Sequence, residues 1–322
     1  MKAIVLYKPG GAENLLLEKR QTPKPENGQV LVSVKAFGLN RSELMTRKGL
    51  SPSVTFPRVL GIECVGEIVE DPSGEFARGQ QVAACMGGMG RDFDGSYQEF
   101  VVLPKNILMP FESSLPWETL GALPEMFQTV FGSLELALKL QKSETLLIRG
   151  GTSSIGLMAA QLAKVKGARV ISTSRNAESK EKILANGAEM MLVDNGNLEE
   201  KVRSILPEGV DKALELVGTN TLADTLKSVK PGGMACFAGM LSENWSFPDF
   251  APMDYIPSTV GLTTYDSGSI RISASNFQYF LRQIERGEIR PEIAKIFRLE
   301  EIEEAHKLME SNLAQGKIVV KI

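Results

Sequence analysis

The sequence has one histidine, His306, and three cysteines, Cys64, Cys85 and Cys236, in 322 residues. The cysteines are far apart and each lies in an apolar, strand-like segment. They can build neither a disulfide framework nor a four-cysteine zinc lobe. Neither sign of charge dominates: 36 Lys and Arg face 39 Asp and Glu, a net charge of -3, mixed along the chain. The lack of a basic tail or stripe argues against a nucleic-acid or anionic-membrane partner. The longest apolar runs are strand-sized, well short of the ~20 residues a membrane span needs. Residues 1–7 could pass for the start of a signal peptide, but Lys8-Pro9-Gly10-Gly11 ends them in a turn and not in a small-residue cleavage site. The expected location is cytoplasmic.

What is present suits two globular domains. Apolar residues make up 43% and charged residues 23%, and 30 glycines and 16 prolines punctuate the chain without a period. Short apolar or alternating runs at 3–7, 29–37, 63–70, 81–85 and 96–103 predict strands, with a short helix at 41–48. From about residue 116 the rhythm changes. Residues 117–140 read as mostly helical, and then strands at 145–149, 169–173, 190–193, 212–217, 234–238 and 259–262 alternate with helices starting near 154, 177, 198 and 221. Strands joined by crossover helices predict a doubly wound parallel sheet. The tail adds helices at 274–286 and 300–312 and a strand at 317–322. A β-rich domain of residues 1–120 plus 263–322, interrupted by a nucleotide-type domain of residues 121–262, would account for strands at both ends of the chain.

The stretch Leu146 to Gly156 carries the most chemistry. A buried-type strand runs into Gly150-Gly151-Thr152-Ser153-Ser154-Ile155-Gly156 and then into an amphipathic helix. Small residues let the backbone approach a pyrophosphate, and the amides at the helix start hold its charge. The spacing is Gly151-x-Ser153-x-x-Gly156, with serine at the central glycine of the usual fingerprint; a tight turn that binds nothing is the bland alternative. The next predicted strand ends in Ser174-Arg175-Asn176, where NAD binders place an acidic residue for the ribose hydroxyls. Arg175 can offer a planar fork to a ribose 2′-phosphate, Ser174 a hydroxyl, and Lys180 further charge. These residues favour NADPH over NADH, unless Arg175 is an ordinary solvated loop residue.

Segments along the whole chain then acquire a common meaning. Val34 to Glu43 with Arg47-Lys48-Gly49, Pro57 to Val69, Asp94 to Phe100, Gln128-Thr129-Val130-Phe131, Lys230-Pro231-Gly232-Gly233 and Gly316-Lys317-Ile318-Val319 occur in a family-like order. The chain resembles the zinc-free, quinone-oxidoreductase-like branch of the medium-chain dehydrogenase/reductase superfamily. That resemblance implies a Rossmann-type sheet inserted in a GroES-like catalytic domain, an α/β fold, and a homodimer. In zinc-dependent relatives a Cys, a Gly-His-Glu motif and a further Cys hold the metal. Here Asn40 stands in place of the first Cys and Ile62 replaces the His in Gly61-Ile62-Glu63. No metal is expected. Another departure is Asp194, which stands where many quinone reductases have a tyrosine near the adenine.

The resemblance implies a cofactor site of Asn40, Thr129, Gly151, Thr152, Ser153, Ser154, Ile155, Gly156, Ser174, Arg175, Lys180, Val217, Phe237, Ala238, Gly239, Thr263 and, more weakly, Lys317. Arg41, Met45, Met126, Phe127 and Tyr265 are candidates for a substrate pocket, each with a core or surface role as the alternative. Glu43 and Glu63 could serve as an acid–base pair or be leftovers of the zinc frame, satisfied by hydrogen bonds. Tyr97 reads as structural, and His306, on a charged helix, as a surface residue. Hydride transfer without a metal suits an easily reduced acceptor, a quinone or similar activated carbonyl. The alternatives are an enoyl or alkenal reductase of the same superfamily, or a crystallin-like NADPH-binding protein with little turnover.

Overall fold

The computed structural model describes residues 1–244 and 246–322. They divide into two compact units: Met1–Phe127 with Arg271–Gly287 and Pro291–Ile322, and Gln128–Ile270 with Glu288–Arg290.

The first unit is β-rich. Its spine is Gln29–Gly38, in which Val32, Val34 and Ala36 are buried and polar Ser33 and Lys35 between them are less so, the alternation of a half-buried strand. Glu63–Glu70 and Phe100–Pro104 pair antiparallel with it, and residues 319–321 pair with residues 36–38. Among the described residues this sheet has seven strands. A smaller sheet joins Leu15–Lys19, Lys2–Leu6 and Arg58–Val59. The strand Leu15–Lys19 was not foreseen, because Leu-Leu-Leu-Glu-Lys has no period of two and leaves Leu16 and Leu17 about half exposed. The strand Ile293–Arg298 was missed for the same reason.

The second unit carries the expected doubly wound sheet. Among the described residues six parallel strands run in spatial order 3-2-1-4-5-6 of their sequence: Met190–Val193, Arg169–Ser174, Thr145–Arg149, Val210–Glu215, Val229–Phe237 and Gly261–Thr264. Leu146, Leu147 and Ile148 on the central strand are wholly buried, as befits a sheet covered on both faces. Each contributes roughly 1.5–3 kcal/mol by leaving water. Helix Ser154–Lys166 packs on the strands Thr145–Arg149 and Arg169–Ser174, and Thr219–Lys227 on the next two. The stretch read as mostly helical over 117–140 is helical in three segments. Trp117–Leu120 stops before Leu123, Pro124 opens Pro124–Phe131, and Gly132–Ala137 winds as a wider turn. Proline suits a first helical position because it lacks an amide donor to satisfy.

Candidate functional site

The turn from Arg149 into helix Ser154–Lys166 is shaped by glycine at two positions. Gly150 has φ +91°, a conformation that side chains disfavour. A Cβ on Gly156 would come within 2.5 Å of the Gly150 carbonyl oxygen, so the helix can sit this close to the loop only with glycine there. Ser153 is the helix N-cap: its Oγ accepts the Gly156 amide at 3.0 Å and donates to the Gly150 carbonyl at 2.8 Å. Serine at the central fingerprint position thus closes the loop on itself. Helix geometry leaves the amides of Ser154 and Ile155 without an intrahelical partner. Thr152 is half-buried beside them, and the Gly151 amide donates to the Thr173 carbonyl at 2.9 Å.

The adjacent strand ends in Ser174, buried, and Arg175, exposed and in no ion pair among the described residues. Ser174 Oγ accepts the Asn176 amide at 3.1 Å, and Asn176 Oδ1 accepts the Glu178 amide at 2.9 Å, folding the chain into the short helix that holds exposed Lys180. Val217, with its amide on Glu215 Oε1 at 2.7 Å, and Phe237, Ala238 and Gly239 follow the fourth and fifth strands. Thr263 lies in the sixth, whose Thr264 pairs with Phe237. The sequence-derived residues of this unit other than Thr129 therefore gather along the carboxyl edge of the sheet, where doubly wound folds bind ligands. Thr129 is buried in helix Pro124–Phe131.

Beneath this edge lies an ion network that the sequence reading did not anticipate. Arg149, 3% exposed, forks onto Asp194, with Nε on Oδ2 at 2.7 Å and Nη2 on Oδ1 at 2.8 Å. Its Nη1 reaches Asp224 at 2.9 Å and donates to the Thr221 carbonyl and Thr225 Oγ1. Thr225 also donates to buried Glu215 at 2.5 Å. Burial pushes the Glu215 carboxyl up, against the opposing pull of Thr225 and Arg149. A lone Arg ending the apolar run Leu-Leu-Ile was the one available signal.

In the first unit, Asn40, Glu43, Glu63 and Lys317 form a second buried polar cluster. Lys317 Nζ lies 2.7 Å from Glu63 Oε1 and donates to Asn40 Oδ1 at 2.6 Å, and Asn40 Nδ2 donates to Glu63 Oε1 at 2.8 Å. Lys317 is 1% and Glu63 0% exposed. The other Glu63 oxygen accepts the Glu125 amide at 2.8 Å. Glu43 accepts the amides of Asn40 and Ile62 at 3.0 and 3.1 Å. Burial pushes its carboxyl up to about 7; the Ile62 amide opposes the rise and the Glu63 charge adds to it.

Among the pocket candidates, Met45 and Met126 are each 1% exposed, and Phe127 stacks on Phe280 with ring centres 4.0 Å apart. Arg41 donates to Asn312. Tyr265, in the second unit, donates its hydroxyl to the Ile270 carbonyl at 2.9 Å. His306 is corrected: it is 0% exposed and its Nε2 lies 2.9 Å from Tyr97 Oη. Burial, helped by Arg47, pushes its pKa down to about 3. A cleft of about 590 Å³ in the first unit contains none of the expected residues, and its Arg20 and Arg58 are already paired with Asp94.

Residues 26–113 match the family model of the alcohol dehydrogenase GroES-like domain, and residues 154–285 that of the zinc-binding dehydrogenase. Rattus norvegicus quinone oxidoreductase is 28% identical over 334 residues, covering 99% of this chain and 97% of its own. Acryloyl-coenzyme A reductase of Metallosphaera sedula is 26% identical over 344 residues, covering 99% of each. The solved structure of Escherichia coli quinone oxidoreductase complexed with NADPH has a TM-score of 0.90 over 100% of both chains, a likeness of fold at 22% identity. The chain belongs to the medium-chain dehydrogenase/reductase superfamily, and quinone oxidoreductases are among its relatives.

The second family model's name raises the question of zinc, and the residues present do not fit one. Asn40 and Ile62 are weak or non-ligands, Glu63 already holds an ammonium, and His306 is buried against Tyr97. Among the described residues no three His, Cys, Asp or Glu side chains could hold a metal. Among them also, no helix is long and apolar enough to cross a membrane.

Proposed function

We propose that the protein is an NADPH-dependent oxidoreductase that reduces a quinone or a similarly activated carbonyl without a metal. The observation that carries the cofactor choice is Arg175. It stands exposed and outside any ion pair among the described residues, next to buried Ser174, one strand away from the glycine turn. A dinucleotide with a bare ribose needs an acceptor at this position, whereas a 2′-phosphate needs a donor fork. The amides of Ser154 and Ile155 would hold the pyrophosphate, and Ser174, Arg175 and Lys180 the 2′-phosphate. Val217, Phe237, Ala238, Gly239 and Thr263 would line the nicotinamide end, and Asn40, Thr129 and Lys317 are further candidates for cofactor contacts. NADPH, when bound, supplies the hydride.

The name of the rat relative supports a quinone acceptor. The name of the Metallosphaera sedula relative favours a second reading, an enoyl reductase acting on a conjugated thioester. Both acceptors develop negative charge on oxygen, and both need the same hydride position. Arg41, Met45 and Tyr265 are candidates for acceptor contacts in either reading. We place the protein in the cytoplasm as a homodimer.

Titration of NADPH and NADH into Arg175→Ala tests the cofactor assignment. Loss of a charge-assisted contact of roughly 1.5–3 kcal/mol should weaken NADPH on the order of 10- to 100-fold and leave NADH nearly unchanged. Equal affinity of the unmutated protein for both cofactors, with no selective loss in the variant, overturns it. A turnover screen with 1,4-benzoquinone, 9,10-phenanthrenequinone and short enals then separates the acceptors. Tight NADPH binding without turnover of any of them would point to a crystallin-like role.

A further inference from the structure

We propose that Arg149 is a positioning residue for cofactor selectivity, holding Asp194 away from Arg175 so that Arg175 stays free for a 2′-phosphate. The inference rests on the NADPH reading above and names how the chain protects that site.

The geometry comes from the strand register. Ser174 pairs with Val193 across parallel neighbours, and the Asp194 amide donates to the Ser174 carbonyl at 2.8 Å. The paired ladder ends there, and Arg175 and Asp194 are the next residues of the two strands. Adjacent strands lie only about 4.8 Å apart. An arginine and an aspartate so placed would ordinarily meet. Among the described residues no ion pair joins them, and each Asp194 oxygen instead accepts from the Arg149 fork.

The fork suits this task better than a point charge. Its three nitrogens reach Asp194, Asp224, the Thr221 carbonyl and Thr225 at once, which fixes the plane of the guanidinium. Asp194 is thereby both neutralised and immobilised. Without Arg149, the Asp194 carboxylate would do two things to a bound 2′-phosphate. It would compete for Arg175, and it would repel the phosphate directly. NADH, with no phosphate there, would feel neither effect.

The test is a double-mutant cycle on the full-length chain, with NADPH and NADH affinities read by titration and folding by thermal unfolding. Arg149→Met should lower the preference for NADPH over NADH about tenfold, the low end for losing one charge-assisted contact, while NADH affinity changes less than about twofold. Adding Asp194→Asn should bring the preference back to within about threefold of the unmutated protein. A purely structural Arg149 would weaken both cofactors in parallel, and Asp194→Asn would not repair the loss; either result overturns the proposal. Should Arg149→Met fail to unfold cooperatively, the same cycle is run from Arg149→Lys, whose ammonium keeps the charge but cannot fork. There the preference should fall by about threefold and be repaired by Asp194→Asn, and an unchanged or unrepaired preference overturns the proposal. Arg175→Ala separates the two levels. If it causes no selective NADPH loss, the cofactor reading itself fails. If it does, and the Arg149 cycle shows nothing, only the role of Arg149 is lost.

Discussion

Among the described residues each unit buries a cation against carboxylates, Lys317 in the first and Arg149 in the second, and the two do it differently. In the first, Lys317 is a compact ammonium enclosed with Glu63 and Asn40, all three groups meeting within 2.8 Å. In the second, Arg149 spreads its charge over a plane that ties the ends of two strands to helix Thr219–Lys227, with Asp224 still 29% exposed. A sealed point charge can only balance its neighbours. A fork at a sheet edge can also decide which way a neighbouring carboxylate faces. On the proposals above, the first arrangement matters most to stability, beside any cofactor contact of Asn40 and Lys317, and the second to recognition.

That division breaks first, and by the largest margin, at Lys317. Lys317→Met leaves the Glu63 carboxylate buried without a cation and should cost about 3–5 kcal/mol in urea unfolding. Lys317→Met with Glu63→Gln should recover a large part of that loss. A single variant as stable as the parent would show that the pair is not what holds this region together.

The next effect is on pH dependence. The native Glu43 carboxyl titrates at about 7 against an ordinary 4.5, so between these values the folded state holds the extra proton and stability falls as pH rises. His306 acts with the opposite sign. Its pKa of about 3 lies below the ordinary 6.5, so the unfolded state binds the proton between them and stability rises with pH. From pH 4.5 to 6.5 the two slopes oppose each other. Glu43→Gln should remove the falling one, so its stability relative to the parent improves from pH 4.5 to 7 by up to about 3 kcal/mol. A difference independent of pH would refute this.

The smallest effect sharpens the recognition side. Ser153→Ala removes the N-cap of helix Ser154–Lys166 and should cost about 1 kcal/mol. It should leave the relative affinity for NADPH and NADH untouched, because the cap faces the loop interior and not Arg175. A change in that ratio would mean that the cap shapes the 2′-phosphate side as well.

The sequence announced the parallel sheet because its strands are short apolar runs between glycines, and the order of the βα units then follows from chirality and crossover rules. It marked Arg175 as a candidate because an expected acid is replaced by a base. It did not announce Arg149–Asp194, which are 45 residues apart and meet only through strand order. His306 was misread because Glu303, Glu304 and Lys307 surround it. Yet Ile302, Ala305, His306 and Met309 fall on one buried face at helical spacing, a pattern the charges concealed.

The strand Lys317–Lys321 also sets a timetable. Residues 319–321 pair with residues 36–38, and Lys317 meets Asn40 across 277 positions of sequence. During synthesis the parallel sheet of the second unit is contiguous enough to form as soon as it emerges. The first unit must wait, its long-range pairing slow to nucleate because a very long loop has to close. Until then Asn40 and Glu63 have no ammonium between them, and the edge of Gln29–Gly38 that receives Lys317–Lys321 is open.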